Sequence, residues 1–244
     1  MSPAAEDRPT QSFPLSLAGL QDRFALSIAA TEQLAVFAAS LAFDPLAPTT
    51  VTDPAGVRDD HIADALVALE LPELRQARLI ADIGAGAGVP GIPLAIALPG
   101  AEVFLLEGNG KKCDFMRGII AALGLDNAEV VCRRAELWRE GLGRCDVVTA
   151  RALAPLDVVA EYAAPMLRVG GALVAWRGRR EPEVEAAAFR AAAVLGLEVL
   201  PPLRVDPYDG ADNRHLHVLR KVSETPDRFP RRDGVARKRP LGAA

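Results

Sequence analysis

The chain has 244 residues, half of them apolar, and a formal charge of −4. That length suits one well-buried domain with an extension and excludes two domains of ordinary size. Charge interrupts the apolar runs before they reach the roughly twenty residues of a membrane helix, and the acidic, proline-containing start lacks the basic-then-apolar order of a secretory signal, so a soluble cytoplasmic protein without membrane contact is expected.

Residues 1–15 read as a disordered start. In "LAGLQDRFALSIAATEQLAVFAASLAF", Leu17, Leu20, Phe24, Ile28, Leu34, Phe37 and Leu41 recur near helical spacing, which predicts one or two amphipathic helices over 16–43. A proline-rich connection, "DPLAPTTVTDPAGV", precedes a further helix, "RDDHIADALVALELPEL", that stops at Pro72. Residues 16–77 are read as a helical cap.

From residue 78 short apolar runs alternate with helical stretches, the pattern of a parallel sheet covered on both faces. Strands are expected at "RLIADI", "EVFLLE", "AEVVCR", "CDVVTAR" and "GALVAWR". Helices are expected from Pro90, from Lys111, around Pro155 to Leu167, and from Glu183 to Leu195. Two last strands, "LEVLPPLRV" and "RHLHVLRK", are joined by a short polar connection that suits an antiparallel pair. The expected fold is α/β, a doubly wound sheet over 78–222 with an antiparallel end.

The segment 223–244 has no apolar period and is expected to be loosely ordered. From Arg214 onward there are nine Lys or Arg against three acids, a local charge of +6 that leaves −10 on the rest. Such a tail is either a phosphate-contacting arm or a solubilising end. The three cysteines, Cys113, Cys132 and Cys145, have neither zinc-site spacing nor a nearby base, and are read as small buried hydrophobes.

The stretch "LIADIGAGAGVPGIPLAIALPG" carries glycines at Gly84, Gly86, Gly88 and Gly91. Such a strand–loop–helix presents a ligand at the sheet's carboxyl edge. The spacing serves a nicotinamide dinucleotide or S-adenosylmethionine equally. Asp82, two residues before the first glycine, discriminates: a carboxylate repels a pyrophosphate but favours the cationic methyl donor. Glu107, at the end of the next strand, suits ribose hydroxyls in either case.

The fourth strand ends in "VTARALAPLD", with neither an Asp/Asn-Pro-Pro-aromatic run nor a Pro-Cys. Base-assisted or cysteine-assisted methylation is therefore not signalled. Guanine N7 has a free lone pair and needs only alignment, which makes Arg151 a candidate for positioning the base.

The cap's "HIADAL", together with "DIGAGAGVPGIPLAI", "LLEGNGKKCDFMR", "RAE", "ARAL", "RHLHVLRK" and the closing "TPDRFPRRDGVARKRPL", resembles the 16S ribosomal RNA guanine-N7 methyltransferases once called glucose-inhibited division protein B. The resemblance covers most of the chain. It implies a class I methyltransferase fold, S-adenosylmethionine as donor, and the small ribosomal subunit or its 16S RNA as substrate; no metal and a monomer are expected.

Carried onto this sequence, Gly84, Val89, Ala135 and Glu136 match donor-binding positions, alongside Asp82, Ala85, Gly86, Gly88 and Glu107 from the loop reading. Arg151 matches the active-site arginine, on the donor as well as the acceptor side. Arg134, Arg177, Arg214, Lys221, Arg231 and Arg232 are the candidate RNA contacts. His61 and Asp64 match a His-x-x-Asp pair with a capping, packing or substrate role. The chain departs from the family in having "APTTVT" for Asn-Leu-Thr and Arg177-Gly178 for Lys-Gly. His215 and His217 share a strand face, but without a third ligand they read as packing or solvent-facing residues. The readings kept open are a nicotinamide-dependent oxidoreductase and a noncatalytic RNA-binding module.

Overall fold

A computed structural model describes residues 15–243. The start expected to lack order lies outside them apart from its last residue. The cap opens with α1 (Ala18–Phe24) and α2 (Ile28–Phe43). Ala25 adopts a left-handed conformation and Ser27 caps α2 by accepting from the Ala30 N–H at 3.1 Å. That break resets the helical phase. Leu34, Phe37 and Leu41 keep their buried stripe, while Ile28, at the first helical position, is 70% exposed.

Pro54 begins the next helical run instead of lying in the connection, and the Asp53 side chain accepts from the Gly56 N–H. The run comprises α3 (Pro54–Gly56), a π-helical stretch (Val57–Ala63), α4 (Asp64–Leu66) and a 3-10 turn (Val67–Glu70). Pro72 both ends this run and opens the short α5 (Pro72–Arg75), as its fixed φ and missing N–H permit at a first helical position.

The strands are β1 (Leu79–Ile83), β2 (Glu102–Leu106), β3 (Ala128–Val131), β4 (Cys145–Arg151), β5 (Leu167–Arg177), β6 (Leu197–Val199), β7 (Leu203–Arg204) and β8 (His215–Lys221). The intervening helices are α6 (Gly91–Ala97), α7 (Gly110–Leu123), α8 (Leu156–Ala163) and α9 (Pro182–Leu195), and α10 (Val235–Lys238) follows β8. Among the described residues they form one sheet in the order β3-β2-β1-β4-β5-β8-β6, with β7 also on β8. β1 to β5 pair in parallel and β8 runs antiparallel to β5. The run "LEVLPPLRV" makes two strands because the prolines Pro201 and Pro202 cannot donate to a ladder.

Side chains alternate across the sheet with a period of two. Ile80, Val147, Val174 and Leu216 face the cap with α6 and α7, while Ala81, Val148, Leu173 and Leu219 face α8 and α9. The last segment is not loose, contrary to the sequence expectation. Phe229 and Ala236 bury into the second face, and Arg231 pairs with the Glu161 carboxylate, which is 2% exposed. Two apolar anchors and one buried ion pair hold a stretch whose composition alone lacks a period.

Asp82 lies opposite Leu105 and Thr149 on the cap side of the sheet, where α6 comes close enough to touch it. A Cβ at Gly91 would stand 2.8 Å from Asp82 Oδ2 and 2.9 Å from Leu105 Cδ2. Gly91→Ala is therefore expected to cost about 1–3 kcal/mol in urea unfolding, through overpacking. Unchanged stability would show that α6 is not held this tightly.

Candidate active site

The carboxyl ends of β1, β2 and β4 bring the candidate residues together. After β1 the chain folds back over β2: the Gly84 and Ala85 N–H groups donate to the Leu106 carbonyl at 2.8 and 3.0 Å. Gly86 N–H donates to Glu107 Oε2 at 3.1 Å, and Gly88 and Val89 donate to the Ala85 carbonyl. Gly91 N–H donates to Asp82 Oδ2 at 3.0 Å, and Thr149 Oγ1 donates to Asp82 Oδ1 at 2.9 Å.

A pyrophosphate is bound by free N–H groups at a helix N-terminus. Here those of Gly84, Ala85, Gly86, Gly88, Val89 and Gly91 are engaged inside the protein, and a carboxylate caps the helix. The loop therefore disfavours a phosphate and suits a ligand without one.

Asp82, expected among the donor-binding residues for its charge, is 1% exposed. Its carboxylate is held by Gly91 and Thr149. Burial pushes its carboxyl up to about 7, opposed by the hydrogen bonds from Thr149 and Gly91 and by the nearby Arg151 charge.

Glu107 is aimed by the backbone: its Oε1 accepts from Asn109 N–H at 2.8 Å, while Oε2 holds Gly86. Each carboxylate oxygen retains a lone pair, so the residue fits a vicinal diol. Gly86 has φ 61°, and a Cβ there would meet only the Gly84 carbonyl, at 3.8 Å. This open glycine beside an oriented carboxylate fits a nucleoside.

At the end of β4 the Arg151 guanidinium binds the cap. Its Nη1 donates to the Asp60 carbonyl at 2.5 Å and to Asp64 Oδ2 at 3.1 Å, and its Nη2 lies 2.9 Å from His61 Nδ1. Arginine only donates, so His61 Nδ1 accepts and the ring proton sits on Nε2, 2.8 Å from Thr49 Oγ1. Burial, then the Arg151 charge, pulls His61 down to about 4. Burial raises Asp64, against the opposing pull of Arg151. Thr49 thus orients the histidine from within the segment where the chain departs from the family pattern.

Arg214 and Tyr208 complete the cluster. Both reach Asp60 Oδ1, at 2.6 and 2.5 Å, and Trp176 Nε1 donates to the Asp64 carbonyl at 2.7 Å. Arg214 Nε is buried without an acceptor. Of this cluster the resemblance supplied Arg151, Arg214 and the His61–Asp64 pair; Asp60, and Tyr208 in the β7–β8 connection, carried no sequence signal.

The remaining predicted positions disperse. Arg134 and Arg232 are exposed, Arg134 pairing with Asp233 at 2.8 Å. Arg177 donates to the Ala154 carbonyl at 3.1 Å. Glu136 is buried and its Oε1 accepts from Gly234 N–H at 3.2 Å, so its side chain faces the C-terminal segment. Lys221 is not an RNA contact: it is 1% exposed, its Nζ donates to the Leu195 carbonyl and to Thr225, and burial pulls its pKa down to about 8. Arg231 is likewise withdrawn from solvent charge recognition by its pairing with Glu161. Burial pushes the Cys113 and Cys145 thiols up to about 12, far from nucleophilic. His217 is buried, and His215 Nδ1 lies 3.0 Å from the Gly178 carbonyl.

The strand order, its antiparallel end and the oriented carboxylate beside the glycine loop define an S-adenosylmethionine-dependent methyltransferase. The fold is shared with a methyltransferase of that dependence from Aquifex aeolicus (TM-score 0.55, 18% identity, 74% of this chain and 100% of that one). It is shared also with Methanococcus jannaschii fibrillarin (TM-score 0.52, 16% identity, 66% and 74%).

The chain belongs to the rRNA small subunit methyltransferase G (GidB) family, whose model matches residues 47–201. Relatives named "Ribosomal RNA small subunit methyltransferase G" occur in Rubrobacter xylanophilus, 45% identical over 195 residues and covering 78% of this chain and 75% of that one. Another, from Chloroflexus aggregans, is 41% identical over 198 residues, covering 79% and 82%.

The raised Asp82 pKa makes binding pH-dependent. A cationic donor favours the ionised carboxyl, so its affinity is expected to rise between about pH 6 and pH 8 in calorimetric titrations, and to become flat in Asp82→Asn. Stability follows a different sign for each group. The Asp82 contribution is full below about 3.8 and lost as pH rises through about 7; that of His61 is full above about 6.5 and lost as pH falls through about 4. A donor affinity independent of pH in both proteins would contradict the placement of Asp82 charge beside the ligand.

Proposed function

We propose that the protein transfers the methyl group of S-adenosylmethionine to N7 of a guanine in 16S ribosomal RNA of the small subunit, acting as a cytoplasmic monomer. The observation that carries this reading is the Arg151 guanidinium, fixed by Asp60, His61 and Asp64 at the same strand edge as Glu107 and the glycine loop.

When bound, S-adenosylmethionine supplies a methyl group on a positively charged sulfur, and guanine N7 has a free lone pair, so no general base is required. Glu107 would hold the ribose hydroxyls, with the backbone of Gly84, Ala85, Gly86, Gly88 and Val89 shaping one wall and Ala135 and Glu136 another. Asp82 would favour the sulfonium by charge from behind Gly91.

Arg151 retains Nε–H and one Nη2 hydrogen after its contacts with the cap. These would meet the guanine O6 or a flanking phosphate, in the fixed fork that arginine presents. Arg134, Arg177, Arg214 and Arg232 would contact RNA phosphates, a sequence-independent contribution that weakens with salt.

The test is transfer of labelled methyl from the donor to small subunits, with the label mapped to a guanine at which the chain becomes cleavable after reduction. Arg151→Lys, which keeps the charge and loses the fork, is expected to reduce turnover roughly 100-fold while donor affinity changes little. No transfer to subunits, naked RNA or cell extract would contradict the assignment.

A further inference from the structure

The segment beyond β8 does not trail from the fold but runs between the loop after β3 and the loop after β4. Asp233 Oδ1 accepts from Arg134 Nη1 at 2.8 Å and Gly234 N–H donates to Glu136, both on the loop after β3. Arg237 Nη2 donates to the Leu153 carbonyl at 3.0 Å, on the loop after β4. In the sheet order, the ends of β2 and β1, with Glu107 and the glycine loop, lie between those two loops. Leu153 is also in contact range of the glycine loop, since a Cβ at Gly84 would lie 2.5 Å from its Cδ1.

The segment is anchored at both ends of this crossing. Arg231 binds the buried Glu161 carboxylate of α8 and donates to the Arg239 carbonyl at 2.8 Å, while Phe229 and Ala236 bury in the core. Farther on, Arg190 of α9 donates to the Gly242 carbonyl through Nε and Nη2, at 3.1 and 2.6 Å. The exposed Arg134–Asp233 pair alone would hold little. The buried pair cannot be broken without leaving a charge uncompensated, which makes the crossing a fixed part of the fold.

We propose that residues 226–243 form a strap that ties the loops after β3 and β4 across the donor site, and that Arg231, Asp233 and Arg237 are positioning residues for donor binding. The proposal rests on the donor reading of the glycine loop. It assigns to these side chains a role that an RNA-contacting arm would not have. An arm affects RNA affinity alone, whereas the strap sets donor affinity with no RNA present.

The experiment is calorimetric titration of S-adenosylmethionine and of its demethylated product into the full chain, a chain ending at Thr225, Arg231→Ala, Arg231→Lys and the double variant Asp233→Ala/Arg237→Ala. Thermal unfolding is measured on each. Truncation and Arg231→Ala are expected to weaken donor binding about tenfold or more, with partial recovery in Arg231→Lys. The double variant, altered only at exposed positions, is expected to weaken it by a smaller factor with its unfolding temperature unchanged. That last result separates positioning from a general loss of fold. Donor affinity equal to that of the full chain in the truncated and double variants, with only RNA binding reduced, would overturn the strap. Failure of the full chain itself to bind donor or product would instead overturn the donor reading on which the strap depends.

Discussion

One guanidinium joins the two layers of this molecule. Arg151 leaves the end of β4 and is received by the cap through a backbone carbonyl, a neutral histidine nitrogen and a carboxylate, all within about one helical turn. The Arg151 side chain is only 20% exposed, and a guanidinium drawn out of water to that extent is satisfied by such partners, which fixes where the cap sits. The π-helical stretch that contains Asp60 and His61 is how the cap offers a carbonyl, a ring and, one step on, Asp64 to a single side chain. Extra residues in a helical turn recur at functional sites for this reason. Around the same Asp60 carboxylate, Tyr208 and Arg214 draw in the β7–β8 connection, so the cap, the parallel strands and the antiparallel end converge at one place.

The second organising constraint is the use made of backbone N–H groups in the glycine loop. Glycine spacing alone does not choose a ligand; what chooses is which donors remain after the loop has folded. Leu106, Glu107, Ala85 and Asp82 take nearly all of them. A carboxylate whose charge is balanced near neutrality then stands behind the helix start. The physical consequence is a site with negative bias and few free donors, the reverse of a phosphate cradle, and that is why the same glycine pattern serves a cation here.

Much of the fold could be read from residue order because its causes are local. The short apolar runs "RLIADI" and "GALVAWR", and the prolines at 72 and 90, each act within a few residues. The antiparallel end was legible from a connection too short for a crossover. Ile28 was misread because a single left-handed residue, Ala25, shifts the phase of everything after it. Lys221 and Arg231 were misread for a different reason. Their charge is visible in sequence, but the partners that withdraw it, Leu195 with Thr225 and Glu161, lie 26, 4 and 70 residues away. The same holds at the site. Asp82 was identified through its charge, whereas its burial behind Gly91 depends on how closely α6 meets β1, and Thr49 and Tyr208 acquire meaning only once the cap is docked. Long-range satisfaction of polar groups is what composition cannot express.

Arg151 acts as one unit with the cap residues that hold it. The most direct measurement is a double-mutant cycle on the rate of methyl transfer to small subunits, comparing Asp64→Ala, Arg151→Ala and the double variant under saturating donor. If Asp64 acts by holding Arg151, its removal slows transfer when Arg151 is present and has little further effect when it is absent. Fully additive losses would mean that the two residues contribute separately, and that the cap does not position the arginine.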